Sequence, residues 1–325
     1  MYIIHRPRRN RKSQAIRNLV RETILNVNDL VWPLFVQEGK NKRTPIKSLP
    51  GCSRLSIDLL IKEAKEAQSL GINALAIFPL IADKKKDNFA LESKNPKGLF
   101  PETIRALKSA LPEMVLMTDV AMDPYSSDGH DGYVEKGKIV NDVTLEILAE
   151  MALVQAEAGS DYIAPSDMMD GRVGFLRETL DENGYTDVGI MAYSAKYCSS
   201  LYGPFRDALD SAPKSGDKKT YQMDPSNSDE ALREVQLDLD EGADIVMVKP
   251  AHAYLDILYR VKEISNVPVA AYHVSGEYAM IKAAAEKGWL DEEKAMMEIT
   301  TGIKRAGADI IFTYYAKEIA KLLNK

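Results

Sequence analysis

The sequence predicts an α/β fold, a (β/α)8 barrel preceded by an extended N-terminal arm, and three observations carry that prediction. Eight short runs of β-branched and apolar residues recur along the chain, amphipathic stretches of 3.6-residue period separate most of them, and a Gly-Xaa-Asp element precedes several strands. A chain of 325 residues with 45% hydrophobic composition can bury either one such barrel or two ordinary domains. The alternation, not the length, selects the barrel.

Residues 1–25 read as the arm: positions 1–21 carry Arg6, Arg8, Arg9, Arg11, Lys12, Arg17 and Arg21 and no acid, which leaves a strongly acidic body in a chain of net charge −6. A basic arm can bind nucleic acid, and an Arg-rich, acid-poor start can be a transit peptide. This one has no interleaved aromatics and only Ser13 as a hydroxyl residue. It is expected to pack on an acidic neighbouring subunit, with no nucleic-acid partner.

Residues 26–325 read as the barrel. The eight strand candidates are Leu30–Val36, Asn73–Leu80, Val115–Met122, Tyr162–Met168, Val188–Ser194, Ile245–Pro250, Val267–Val274 and Ile310–Tyr315. Helical periodicity marks Ser56–Leu70, Leu145–Ala158, Leu255–Ile264 and Ala295–Arg305, with Gly71 and Gly159 as stop signals. Gly159-Ser160-Asp161, Gly242-Ala243-Asp244 and Gly307-Ala308-Asp309 then mark helix-to-strand turns at the bottom of the barrel. The segment 197–228 breaks the rhythm with Gly203-Pro204, Pro213, Ser215-Gly216 and Pro225, and a stretch this long reads as a lid over the site. Its Arg206, Lys214, Lys218 and Lys219 suit the carboxylate of a small acid, as they would suit a solvated loop.

Cys52 and Cys198 form neither a disulfide framework nor a metal-ligand spacing, and no apolar stretch approaches the roughly 18–20 residues of a membrane span. A soluble cytoplasmic protein is expected, without a membrane partner. No GxxxxGK[ST] or GxGxxG is present, which weighs against kinase and dehydrogenase readings.

The chemistry is expected at the strand ends. Strand five runs into Ser194-Ala195-Lys196 and strand six into Lys249-Pro250. A lysine at the end of a buried strand points its amine into a cleft, where desolvation and a second cation lower its pKa and leave free amine to attack a ketone or aldehyde. One such lysine can equally snorkel to solvent. Two on successive strands, followed by a lid, point to a shared site in which each depresses the other. Strand three ends in Asp119 to Asp123 and its loop adds Asp128, His130 and Asp131. These carboxylates can hold an oxygen-preferring metal, position water or cap turns. Ser166, Asp167 and Arg172 follow strand four, His273 and Ser275 strand seven, and Tyr314-Tyr315 strand eight. His273 fits either the site or a satisfied core position.

Several motifs, spread over nearly the whole chain, closely resemble the porphobilinogen synthase (5-aminolevulinate dehydratase) family: Met191 to Tyr197 with Tyr202-Gly203-Pro204-Phe205-Arg206, Val246 to Pro250, Arg6-Pro7-Arg8-Arg9, Pro33 to Val36, Pro165 to Arg172, Tyr272 to Glu277 and Thr313 to Tyr315. The resemblance implies condensation of two 5-aminolevulinate molecules to porphobilinogen with loss of two waters, on the way to tetrapyrroles such as haem and chlorophyll. It implies that Lys249 holds the P-side substrate and Lys196 the A-side substrate. Ser275 and Tyr314 match P-side carboxylate contacts, and Arg206, Lys218 and Gln222 match A-side ones, with Asp119, Asp123, Asp131 and Ser166 supporting the site. Lys218 stands where some members have an arginine, which loses a bidentate fork. Zinc-dependent members carry three cysteines where this chain has Ala121, Asp123 and Asp131, so catalytic zinc is not expected. Glu234 matches the family's magnesium (Mg2+) site, which implies an allosteric cation and a homo-octamer. Without the family, Glu234 is a solvated glutamate opposite Ala231, Val235 and Leu239.

Two other readings fit parts of the pattern. An aldolase could use Lys249 alone on a sugar phosphate, although the loops after strands seven and eight offer a serine and tyrosines instead of a phosphate cradle. A non-catalytic barrel could use its arm and acidic faces for assembly.

Overall fold

The structure is a computed structural model that describes residues 3–324; residues 1, 2 and 325 of the arm and barrel ranges lie outside the described residues. Eight strands, β1 (Leu30–Val36), β2 (Ala74–Pro79), β3 (Val115–Val120), β4 (Tyr162–Pro165), β5 (Gly189–Lys196), β6 (Ile245–Lys249), β7 (Val269–His273) and β8 (Ile310–Thr313), pair in chain order. All neighbours are parallel, and β8 closes on β1 through Leu30 opposite Ile311 and Val31 opposite Phe312. Burial on both faces explains why the strands read as apolar runs and not as alternating ones. A short antiparallel hairpin, Arg43–Pro45 with Ser53–Leu55, attaches to the end of β1.

The helices α1 (Ile57–Ser69), α2 (Leu99–Ala110), α3 (Asn141–Ala158), α4 (Arg172–Glu182), α5 (Asp229–Asp240), α6 (Leu255–Ile264), α7 (Ser275–Glu286), α8 (Glu292–Arg305) and α9 (Ala316–Leu323) follow the strands. The predicted runs are right in place and wrong at some ends. β4 stops at Pro165 because Met168 takes a left-handed φ of 67° and the Asp167 carboxylate accepts the Met169 N–H. β5 continues two residues beyond the predicted Ser194 and so carries Lys196 inside the sheet.

The Gly-Xaa-Asp turns have one shared job. Gly159, Gly242 and Gly307 take φ of 104°, 97° and 120° after α3, α5 and α8, a region open to glycine. The aspartate two residues on then accepts a backbone N–H from the start of the preceding strand: Asp161 from Leu116, Asp244 from Ile190 and Asp309 from Val269, at 2.8, 2.7 and 2.8 Å. Lys108 and Lys262 pair with Asp161 and Asp309. The bottom of the barrel is stitched, strand to strand, by its own turn signal.

Segment 197–228 lies against the opposite end. It is less irregular than the sequence predicts, since it contains the seven-residue helix Gly203–Leu209 after a single 3-10 turn. Two helical turns are too short to show a period. In the arm, Pro7–Arg11 forms a 3-10 helix and Gln14–Leu19 an α-helix capped by Ser13, and none of residues 3–24 is buried. Among the described residues, no helix is long and apolar enough to cross a membrane.

Candidate active site

β5 and β6 pair with Lys249 opposite Lys196, the last residue of each strand. Both residues are 6% exposed. Lys249 Nζ faces the rings of Tyr272, Tyr193, Phe205 and Tyr202 at 4.6, 4.8, 5.2 and 5.3 Å, and no carboxylate among the described residues is within ion-pair distance of it. Burial, and next the Lys196 charge, push its pKa down to about 7, against the pull of Asp119, Asp131 and Asp123. The amine is therefore available as a nucleophile near neutrality. Lys196 has a different setting: its ammonium lies 3.3 Å from Asp131 Oδ2 and donates to the Ser166 carbonyl.

Asp131 is the hub of the second lysine. Its other oxygen, Oδ1, is 2.6 Å from Lys218 Nζ, and Gln222 Nε2 donates to Oδ2 at 3.5 Å. Burial alone would raise the Asp131 carboxyl, but Lys196 and Lys218 hold it well below the usual carboxylate range. Lys218 also reaches Asp123 at 3.4 Å. Burial and the Asp131 charge push Asp123 up against the pull of Lys218, while burial and Asp123 push Asp119 up to about 7. Asp119 Oδ1 and Gln222 Oε1 are buried without hydrogen-bond partners, which leaves them free to meet a ligand. The structure thus brings together Asp119, Asp123, Asp131, Ser166, Lys196, Lys218 and Gln222 around one side of the mouth.

On the other side lie Tyr314 and Ser275. The Tyr314 hydroxyl is 3.2 Å from that of Tyr272, and its ring stacks on Phe35 at 6.1 Å. Phe205 of the lid helix meets Phe35 and Phe78 at 5.8 and 5.0 Å, and its N–H donates to Ser275 Oγ. Gly276 lets the lid approach α7, since a Cβ there would sit 2.5 Å from the Leu201 carbonyl oxygen. Arg206 is half-buried on the same lid helix. His273 has Nδ1 on Thr313 Oγ1 and Nε2 unpartnered, and burial pushes its pKa down to about 3, so it is a neutral core histidine.

Glu234 is not in this group. It lies on α5, half-buried, in a cleft of about 870 Å3 shared with Asp170, Glu230 and Asn141 that contains neither lysine. Burial pushes its carboxyl up, with Arg172 opposing and Asp238 and Asp170 reinforcing. It is therefore less solvated than its position on the polar face predicts. Among the described residues no group of three or more His, Cys, Asp or Glu side chains converges as a metal site. The cleft around Glu234 is mixed, with Asp170, Glu230 and Asn141 beside Lys138, Lys219, His130 and three methionines.

The sequence reading missed the aromatic box of Lys249. Tyr193 and Tyr272 come from β5 and β7, the two neighbours of the strand that carries the lysine. Strand order alone would have suggested them. Arg172, expected only as one of the polar groups after strand four, is fully buried and binds Asp238 through both Nη atoms while donating to the Tyr193 carbonyl.

Residues 4–322 match the family described as delta-aminolevulinic acid dehydratase. Among curated proteins, the delta-aminolevulinic acid dehydratase of Bradyrhizobium diazoefficiens is 54% identical over 98% of this chain and 90% of its own length. That of Synechococcus elongatus is 51% identical over 99% of this chain and its full length. Among solved structures, the Toxoplasma gondii enzyme in complex with its reaction product porphobilinogen superposes with a TM-score of 0.97, at 56% identity over 98% of this chain and 92% of the other.

Proposed function

The chain belongs to the delta-aminolevulinic acid dehydratase family, and from that membership and the paired lysines we propose that it condenses two molecules of 5-aminolevulinate to porphobilinogen. The reaction is of the lyase type and supplies tetrapyrrole synthesis. The observation that carries the reading is the register pair Lys196 and Lys249, two buried amines side by side at a barrel mouth. An aldolase needs one such amine; joining two ketones uses both.

In this reading the Lys249 amine attacks the ketone of one substrate and Lys196 that of the other, and each imine releases one water. A protonated imine withdraws electrons, so the carbon beside it loses a proton and bonds to the carbon of the second imine. Attack by a substrate amine closes the ring, and both lysines return as free amines. Asp119, poised near neutrality beside both lysines, is suited to move protons between these steps. Ser275 and Tyr314 would hold the carboxylate of the substrate on Lys249, and Arg206, Lys218 and Gln222 that of the substrate on Lys196. Lys218 must then exchange part of its contact with Asp131 for substrate.

The carboxylates Asp123 and Asp131, where zinc-dependent members carry thiolates, are already countered by Lys218 and Lys196, which supports a reaction without zinc at that position. Magnesium is assigned to the Glu234 cleft, where it would act on assembly and not on substrate. The exposed basic arm supports a homo-oligomer, an octamer by family analogy, and the proposed site of action is the cytoplasm. Borohydride reduction with labelled 5-aminolevulinate tests the central step. Adducts on Lys249 and Lys196 are expected; a protein that reduces without any adduct would falsify the imine mechanism.

A further inference from the structure

We infer that His130 and Tyr221 are positioning residues for the second imine, holding the lid and Asp131 together so that Lys196 is presented to its substrate. The inference rests on the two-imine reading above. It starts from a hydrogen-bond chain whose direction is fixed at one end. His130 is 6% exposed, and its Nε2 lies 2.9 Å from the Ser215 carbonyl oxygen, which can only accept. Nε2 therefore carries the hydrogen and donates to that carbonyl. The Tyr221 hydroxyl is hydrogen-bonded to Nδ1 at 3.1 Å, and the same oxygen accepts the backbone N–H of Asp131 at 3.3 Å.

The chain therefore runs from Asp131 N–H through Tyr221 and His130 to Ser215. It ties two points of the lid, Ser215 and Tyr221, to the loop after β3 at the residue whose carboxylate grips Lys196 and Lys218. Neighbouring contacts follow the same seam: the Lys214 N–H donates to the Asp128 carbonyl, and a Cβ on Gly129 would sit 2.3 Å from the Ala212 carbonyl oxygen. Neither His130 nor Tyr221 touches a reactive lysine. Lys249 is held by rings from β5, β7 and the segment 202–205, all outside this chain of bonds. Breaking the chain should thus weaken one lysine's site and spare the other, an asymmetry that general loosening of the barrel would not produce.

The test uses the full-length protein, with Tyr221→Phe, His130→Ala and the double variant. Each is reduced by borohydride in the presence of labelled 5-aminolevulinate, and adducts on the two lysines are quantified by peptide mapping. Tyr221→Phe keeps the ring and removes only the hydroxyl, so it preserves packing. Loss of one or two net hydrogen bonds predicts a drop of about 5- to 10-fold in Lys196 adduct at limiting substrate, with a KM increase of similar size. The Lys249 adduct is expected to stay within about twofold of the parent protein, the scale of a small perturbation. The double variant is expected to be no worse than the more affected single one, because both act through one chain of bonds. Equal loss at both lysines, or no loss at Lys196, would overturn the assignment. Absence of adducts in the parent protein would instead remove the two-imine reading, and the positioning role with it.

Discussion

The two ends of this barrel use the same residue types to opposite effect. At the bottom, Lys108 pairs with Asp161 and Lys262 with Asp309, with side chains 24% to 40% exposed, and each aspartate also caps a neighbouring strand. At the mouth, Lys196 and Lys218 share the single carboxylate of Asp131, with side chains 7% exposed or less, while Lys249 has rings in place of a partner. Water screens the bottom pairs, so they are worth little individually. Without water, a charge that lacks its partner gives up its proton or acquires one near neutral pH. The difference teaches that reactivity here comes from withheld pairing and not from residue type.

The comparison breaks most sharply at the unpaired lysine. Lys249→Ala is expected to lower kcat by on the order of 10³-fold or more, as removal of a covalent nucleophile does, and Lys196→Ala nearly as much. Steady-state porphobilinogen formation measures it, and substantial activity in Lys249→Ala would end the two-imine mechanism. Arginine at either position should fail as well, being always protonated.

Exchanging one carboxylate at each end gives the next effect. Asp131→Asn leaves the buried Lys196 without its carboxylate and Lys218 with Asp123 alone, and should cost about 3–5 kcal/mol of stability together with most of the activity. Asp161→Asn retains an oxygen that can accept the Leu116 N–H and loses only a screened ion pair, so a cost below about 1 kcal/mol and unchanged turnover are expected. Denaturant melts of the two variants decide the matter, and equal costs would contradict the contrast.

The pH dependence follows from the same lysine. Because the free amine is the nucleophile, kcat/KM should fall as pH drops below the Lys249 pKa of about 7. The sign for stability is fixed by linkage. The folded pKa lies below the unfolded value of ~10.4, so the unfolded chain binds the extra proton and stability rises with pH through that window. The burial penalty is fully present below pH 7. Lys249→Met should therefore be inactive yet melt higher than the parent at about pH 6, with the advantage shrinking toward about pH 10. A variant that melts lower at both pH values would show that the buried amine does not destabilise the fold.

The smallest effect is expected outside the mouth. Glu234→Ala should abolish stimulation by magnesium and keep basal activity, because in this reading a cation there favours the assembled form by mass action. Activity after chelation, with magnesium or zinc restored separately, measures this, and strict recovery by zinc alone would refute the metal assignment. Light scattering of a protein lacking the arm tests its companion: smaller, salt-sensitive species are expected, and an unchanged oligomer would remove the arm from assembly.

Much of this molecule is legible in one dimension. The eight strands, the Gly-Xaa-Asp turns and the two strand-end lysines follow from local rules, because a barrel buried on both faces writes apolar runs and helix ends call for glycine. Register and long-range contact are not written that way. That Lys249 lies opposite Lys196, that Tyr193 and Tyr272 flank it, and that Asp131 serves Lys196 and Lys218 depend on closure of the sheet and on a lid brought back over it. The seven-residue lid helix escaped because two turns are too few to establish a period, and the burial of Arg172 because it shows only when Asp238 meets the arginine. The sequence by itself determined the barrel and the chemical groups at its mouth. Only the tertiary structure decided which charges would find partners there, because pairing and desolvation depend on distances in space and not on separation along the chain.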